Sequence, residues 1–174
     1  EVRNNALTVL TNACDADATT SSTITINTGQ YIYIGSRREF DHVVFDFGAT
    51  VNGSAATISG SYVQAESHTW TALALLIDGT ETGGKTFGQD GTISFTKPTD
   101  WAGDGLVGSR MFWIRLTPSA TLTASIVINE VTVGERQAWE MRLRDTVGST
   151  NIFSRTADGN GAHDVNLGTA RQSL

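Results

Sequence analysis

Tyr31-Ile-Tyr-Ile-Gly35, His42-Val-Val-Phe-Asp-Phe-Gly48, Thr92-Ile-Ser-Phe-Thr96, Met111-Phe-Trp-Ile-Arg-Leu-Thr117 and Ser125-Ile-Val-Ile-Asn-Glu-Val-Thr-Val-Gly134 decide the fold. Each is a short run rich in β-branched and aromatic residues, with apolar side chains at alternate positions and a Gly, Asn, Asp or Pro close behind it. That is how a strand with one face in a core reads. Residues 22–27, 56–65, 70–77 and 122–133 carry the same signal, and turn dipeptides separate the runs at Asn52-Gly53, Asp78-Gly79, Gly83-Gly84 and Asp90-Gly91. The pattern predicts an all-β chain: a jelly-roll-like β-sandwich of about eight antiparallel strands.

Asp90-Gly91 is the best hairpin turn and would join a strand around Lys85-Thr-Phe87 to the strand at 92–96. Trp70-Thr-Ala-Leu-Ala-Leu-Leu-Ile77 fits either one strand or a short helix, and its length and the Asp-Gly that follows favour the strand. The sandwich is expected over 21–145, with an N-terminal arm at 1–20 and a polar, glycine-rich extension at 146–174 that cannot pack a core of its own. Glu135 to Arg144 is rich in helix-favouring residues, yet the alternation of Trp139, Met141 and Leu143 also fits a strand, and a strand is expected there.

With 174 residues the chain suits one domain with a substantial core. Only 17% of the residues are charged, so Thr, Ser, Asn and Gly supply much of the polar surface. The net charge of -6 and the absence of a basic run argue against nucleic acid. No run of 18 apolar residues marks a membrane span, and no charged-then-apolar leader opens the chain, so a soluble protein is expected. Cys14 is the single cysteine, which excludes an internal disulfide and a cysteine-built metal site.

Candidate chemistry is sparse. His42, His68 and His163 are far apart and form no paired-ligand motif, so no metal or other cofactor is expected from them. Asp15 and Asp17, and the stretch Asp158-Gly-Asn-Gly-Ala-His-Asp164, offer oxygen ligands of the kind calcium takes. The second lacks the distal acid of a twelve-residue calcium loop, since position 169 is Thr. No serine lies in Gly-x-Ser-x-Gly. Asp46, Glu66, Asp78, Glu81, Asp90 and Asp100 cannot be paired into an acid and a base from sequence. The chain is expected not to be an enzyme.

From Tyr31 to Gly134, about 60% of the chain, the wording resembles a β-sandwich domain of structural proteins from tailed bacteriophages. Phe40-Asp-His-Val-Val-Phe-Asp-Phe-Gly48, Phe87-Gly-Gln-Asp-Gly-Thr-Ile-Ser-Phe95, Pro98-Thr-Asp-Trp101, Phe112-Trp-Ile-Arg-Leu116 and Ile128-Asn-Glu-Val-Thr-Val133 carry the resemblance. It implies a non-enzymatic virion component, with head decoration expected ahead of a tail position. On this reading the chain is a cement protein on the capsid surface, with the major capsid protein or other virion proteins and further copies of itself, as a homotrimer, for partners. Arg136, Arg142 and Arg144 would make intersubunit ion pairs, and Phe153 and Leu167 would tuck into a neighbour.

The alternative is a carbohydrate-binding module or a receptor-binding domain associated with a tail or fibre. Sugar rings stack on exposed aromatic faces, and Tyr62, Trp70 and Trp101 are the residues chosen for that role. Tyr31 and Tyr33 share one face of their strand, and one of the two faces of the Trp113 strand must be core.

Overall fold

A computed structural model describes residues 1–14, 20–74, 76–104, 107, 110–134, 143–144 and 151–153. Residues 1–135 form one compact unit and 136–174 a second. In the second, β12 (Leu143–Arg144) pairs antiparallel with β13 (Asn151–Phe153).

The first unit is the predicted sandwich. One sheet holds β1 (Val2–Arg3), β3 (Ile32–Ser36), β10 (Met111–Pro118), β5 (Ile58–Val63) and β6 (Trp70–Ala72) in that order, with β9 (Gly103–Asp104) pairing with one end of β10. The other holds β2 (Ser22–Ile24), β11 (Ile126–Gly134), β4 (His42–Phe47), β8 (Gly91–Ser94) and β7 (Ile77–Asp78). All these pairings are antiparallel, and the chain passes repeatedly from one sheet to the other. Among the described residues of this unit, the strands beyond the eight read from sequence are two-residue pieces, β1, β7 and β9, too short to show a period.

Alternation explains which residues are inside. Ile32, Ile34, Ile114 and Leu116 come from the inner face of the first sheet, and Val43, Phe45, Ile93, Ile126 and Ile128 from the inner face of the second; each is at most 1% exposed. Aromatic rings complete this core. Phe45, Phe47 and Phe87 form one cluster, and Phe40, Phe95, Trp101 and Phe112 another, with centroids 4.9 to 6.1 Å apart. Of residues 1–14, Val2 pairs with Ile34 at the sheet edge, and Leu10 and Ala13 are buried.

Two local expectations are corrected. The run 70–77 is two strands: β6 ends the order of the first sheet and β7 that of the second, and Leu73, just after β6, is buried. An apolar run that passes from one sheet to the other looks the same in sequence as one that stays in a single strand. The hairpin that ends at Gly91 is formed by β7 and β8, with Ile77 opposite Ser94, and residues 85–87 belong to the loop between them. There Lys85 makes single bridges to Thr82 and Ala56, while Phe87 folds into the core at a φ of 55°. A side-chain network fixes this loop: Thr80 Oγ1 accepts from the Phe87 N–H at 3.0 Å and donates to Asp78 Oδ1.

Candidate functional site

The outward face of the first sheet carries an unusual set of side chains. Ile32 and Ile34 point into the core, so the intervening Tyr33, and Tyr31 before the strand, point out. Along β10, Ile114 and Leu116 point in, so Trp113 and Arg115 point out. Directly opposed residues of an antiparallel pair share a face. Arg115 is opposite Tyr33 on one side and Ser61 on the other, Trp113 is opposite Gly35, and Trp70 is opposite Val63.

Trp113 is outward yet fully buried, because Ala102 and Val107 pack with it. Val63 completes this small second core, with Tyr33, Trp70 and Met111 packed at its margin. The apolar surface then continues into the open. Tyr31, Tyr33, Trp70 and Arg115 are each half-buried, and together they form one contiguous patch.

The guanidinium carbon of Arg115 lies 4.2 Å from the Tyr31 ring centroid and 4.6 Å from that of Trp70. Tyr33 lies 5.9 Å from both the Tyr31 and the Trp70 ring, at interplanar angles of 45° and 55°. The cation is thus held by ring faces, an interaction of about 0.5–2 kcal/mol per ring depending on desolvation. Burial pushes the Tyr33 phenol above its ordinary pKa, while the charge of Arg115 and its hydrogen bond to the phenol pull the other way without cancelling the shift. Among the described residues no carboxylate pairs with Arg115, and its Nε is buried without a hydrogen-bond partner.

Of the three aromatic residues chosen from sequence, only Trp70 lies on this face. Trp101 is 6% exposed and Tyr62 8%, and both are spent on the core. The Trp101 indole N–H donates to the Trp113 carbonyl at 3.2 Å, and its ring packs on Phe40 at 4.9 Å. Tyr62 donates its hydroxyl to Asp100 at 2.8 Å. Neither ring offers a face to a ligand, which corrects that part of the expectation. The loop position of Trp101 suggested exposure, but Gln64 and Trp101 form a β-bridge that folds the loop back onto the sheet. Tyr31, Tyr33 and Arg115 were missed. Their signal was present: Arg115 is the only charged residue between Met111 and Thr117.

The carboxylates considered for acid and base roles are engaged in the architecture. Asp46 accepts from Asn129 Nδ2, beside a β-bulge in β11, and Asp90 accepts from the Phe47 N–H at 2.8 Å. Asp78 and Glu81 accept from backbone N–H groups within their own loop. Asp100 accepts from Tyr62 and Gln64, each at 2.8 Å, and the Tyr62 bond above all holds its carboxyl below the usual carboxylate range. Glu66 is exposed.

His42 sits 2.7 Å from Asp41, and His68 occupies a turn at a φ of 50°. No group of three or more His, Cys, Asp or Glu residues suited to a metal ion occurs among the described residues. Asp15, Asp17, Asp158, Asp164 and His163, and the expected interface residues Arg136, Arg142 and Leu167, lie outside the described residues, as do the side chains of Arg144 and Phe153.

No family model matches the sequence, and no curated protein matches it. Among solved structures the chain is similar to the CBM32 domain of AlyQ in complex with 4,5-unsaturated mannuronic acid, at 18% identity and a TM-score of 0.44, over 76% of this chain and 92% of that one. It is also similar to a pectin-binding carbohydrate-binding module, at 15% identity and a TM-score of 0.39, over 73% and 80% of the two chains. A third likeness, at 9% identity and a TM-score of 0.40 over 78% and 92%, is to a CBM32 domain produced by Clostridium perfringens. These structures are carbohydrate-binding modules and not virion proteins, which corrects the expected kinship with structural proteins of tailed phages. The capsid-decoration reading rested on that kinship and goes with it.

Proposed function

We propose that this chain is a non-catalytic glycan-binding module that holds a saccharide against the outward face of the β1-β3-β10-β5-β6 sheet. The observation that carries the reading is the gathering of Tyr31, Tyr33, Trp70 and Arg115 into one half-exposed patch. Sugar rings present C–H faces that pack on aromatic planes, and hydroxyl rims that accept hydrogen bonds from N–H and O–H groups beside them. Both kinds of surface lie within one side-chain length here. A β-sheet face is also rigid, so little conformational entropy is lost when a ligand settles on it.

The non-catalytic part of the reading is supported by what the carboxylates do. Asp46, Asp78, Glu81, Asp90 and Asp100 each accept hydrogen bonds that fix strands and turns, so they serve the fold. The reading stands on these residues and on no resemblance.

Affinity electrophoresis through gels containing a panel of soluble polysaccharides tests it. At least one polysaccharide is expected to retard the protein, and Trp70→Ala and Tyr31→Ala to weaken that retardation by about tenfold, the order of one lost stacking contact. A protein that migrates freely through every gel, or a Trp70→Ala variant retarded like the parent, would overturn the proposal.

A further inference from the structure

The charge at the centre of the patch narrows the ligand. We infer that the saccharide carries carboxylates, as a polyuronate does, and that Arg115 receives one of them; this deepens the reading above and rests on it.

Three observations converge on Arg115. It is the only charged residue of its strand, set among Met111, Phe112, Trp113, Ile114 and Leu116. Its guanidinium carbon lies 4.2 and 4.6 Å from the Tyr31 and Trp70 ring centroids and its Nε is buried, so the terminal N–H groups are the ones left for a ligand. No carboxylate of the described residues neutralises it, although the chain has more acidic than basic side chains, 18 against 12.

Arg3 makes the contrast. It also points outward, opposite Tyr33, but it is paired with Glu1 and bonded to the Leu7 carbonyl. A half-desolvated guanidinium without a counter-ion is costly to hold, and a ligand carboxylate is the planar, two-oxygen partner that its fork matches. A neutral sugar would offer it only hydroxyls, at about half the strength per hydrogen bond. The chain's net charge of -6 gives no long-range attraction for an anion, so selectivity must be local, within a Debye length of about 8–10 Å.

The test titrates the full chain with oligogalacturonate, oligomannuronate and oligoglucuronate, and with the carboxyl-reduced form of each, by calorimetry at low and high salt. At least one oligouronate is expected to bind about tenfold or more tightly than its reduced counterpart, with the preference shrinking as salt rises. Arg115→Gln is expected to abolish the preference by weakening the oligouronate at least about tenfold more than it weakens the reduced form, and Arg115→Lys to restore only part of it. The comparison of native and reduced sugars on the unaltered protein stands even where a variant fails to fold. Equal binding of both forms would overturn the acidic-ligand inference and leave the glycan-binding reading intact. No binding of either form, together with free migration through every gel, would overturn both.

Discussion

The Trp113 ring lies flat over Gly35, so close that a Cβ at residue 35 would fall 2.6 Å from it. The two residues are opposed across the β3–β10 ladder, and the missing side chain makes room for the indole that anchors the outward face. Trp113 in turn supports the margin where Tyr33 and Trp70 emerge. Gly35→Ala would ordinarily help a strand by about 0.5–1 kcal/mol. Here it should destabilise by about 1–3 kcal/mol, since the ring is fully buried and has nowhere to retreat, and denaturant melts should show the fall.

Trp70 and Trp101 should separate stability from binding. Trp101 is packed on Phe40, Phe95 and Phe112, so Trp101→Ala is expected to cost about 3–5 kcal/mol. Trp70 is half-exposed and should cost less, about 1–2 kcal/mol in stability when truncated, while carrying the larger loss in saccharide retardation. Melting curves and gel mobility measured on the same two variants check the split.

Asn52 is 1% exposed and fills its hydrogen-bonding capacity. Its amide donates to the Ser54 and Thr86 carbonyls, both at 2.8 Å, and accepts from the Ser54 and Thr123 N–H groups at 2.9 and 3.0 Å. It thereby ties three loops together. Asn52→Ala should cost about 3 kcal/mol by leaving buried groups unpaired, with faster amide exchange at Thr123 as the local signature.

The Tyr62–Asp100 bond gives stability a pH dependence at both extremes. The Asp100 pKa is lowered in the fold, so its contribution is present above the unfolded carboxylate value and is lost as pH falls through the folded one. The Tyr62 pKa is raised, chiefly by the same bond, so its contribution is full below about pH 10 and fades as pH rises beyond it. Tyr62→Phe should move the Asp100 carboxyl back up, as a carbon-detected titration would show, and should flatten the acid limb of the stability profile.

The strand grammar made the sandwich legible, because Ile32 and Ile34, Val43 and Phe45, and Ile126 and Ile128 repeat at the period that a half-buried strand requires. Alternation alone does not say which of two apolar faces is the core. Tyr31 and Tyr33 alternate with isoleucines and Trp113 with Ile114, so both faces of β3 and β10 read as buryable. The answer came from packing: Ala102 and Val107 bury Trp113, while Arg115 stays half-open. Trp101 misled for the opposite reason: turn residues precede it, but its ring returns to the core through the Gln64 bridge. The charge of Arg115 inside an apolar strand was the one residue-level sign of the patch.

The most direct test of the account is a heteronuclear NMR titration of the protein with a saccharide that retards it, following the side-chain N–H signals of Trp70, Trp101, Trp113 and Arg115. The account predicts that Trp70 and Arg115 shift in a saturable way, together with the backbone amides of Tyr31 and Tyr33, while buried Trp101 stays within the noise. Shifts confined to residues outside the outward face of this sheet, with Trp70 and Arg115 unmoved, would contradict it.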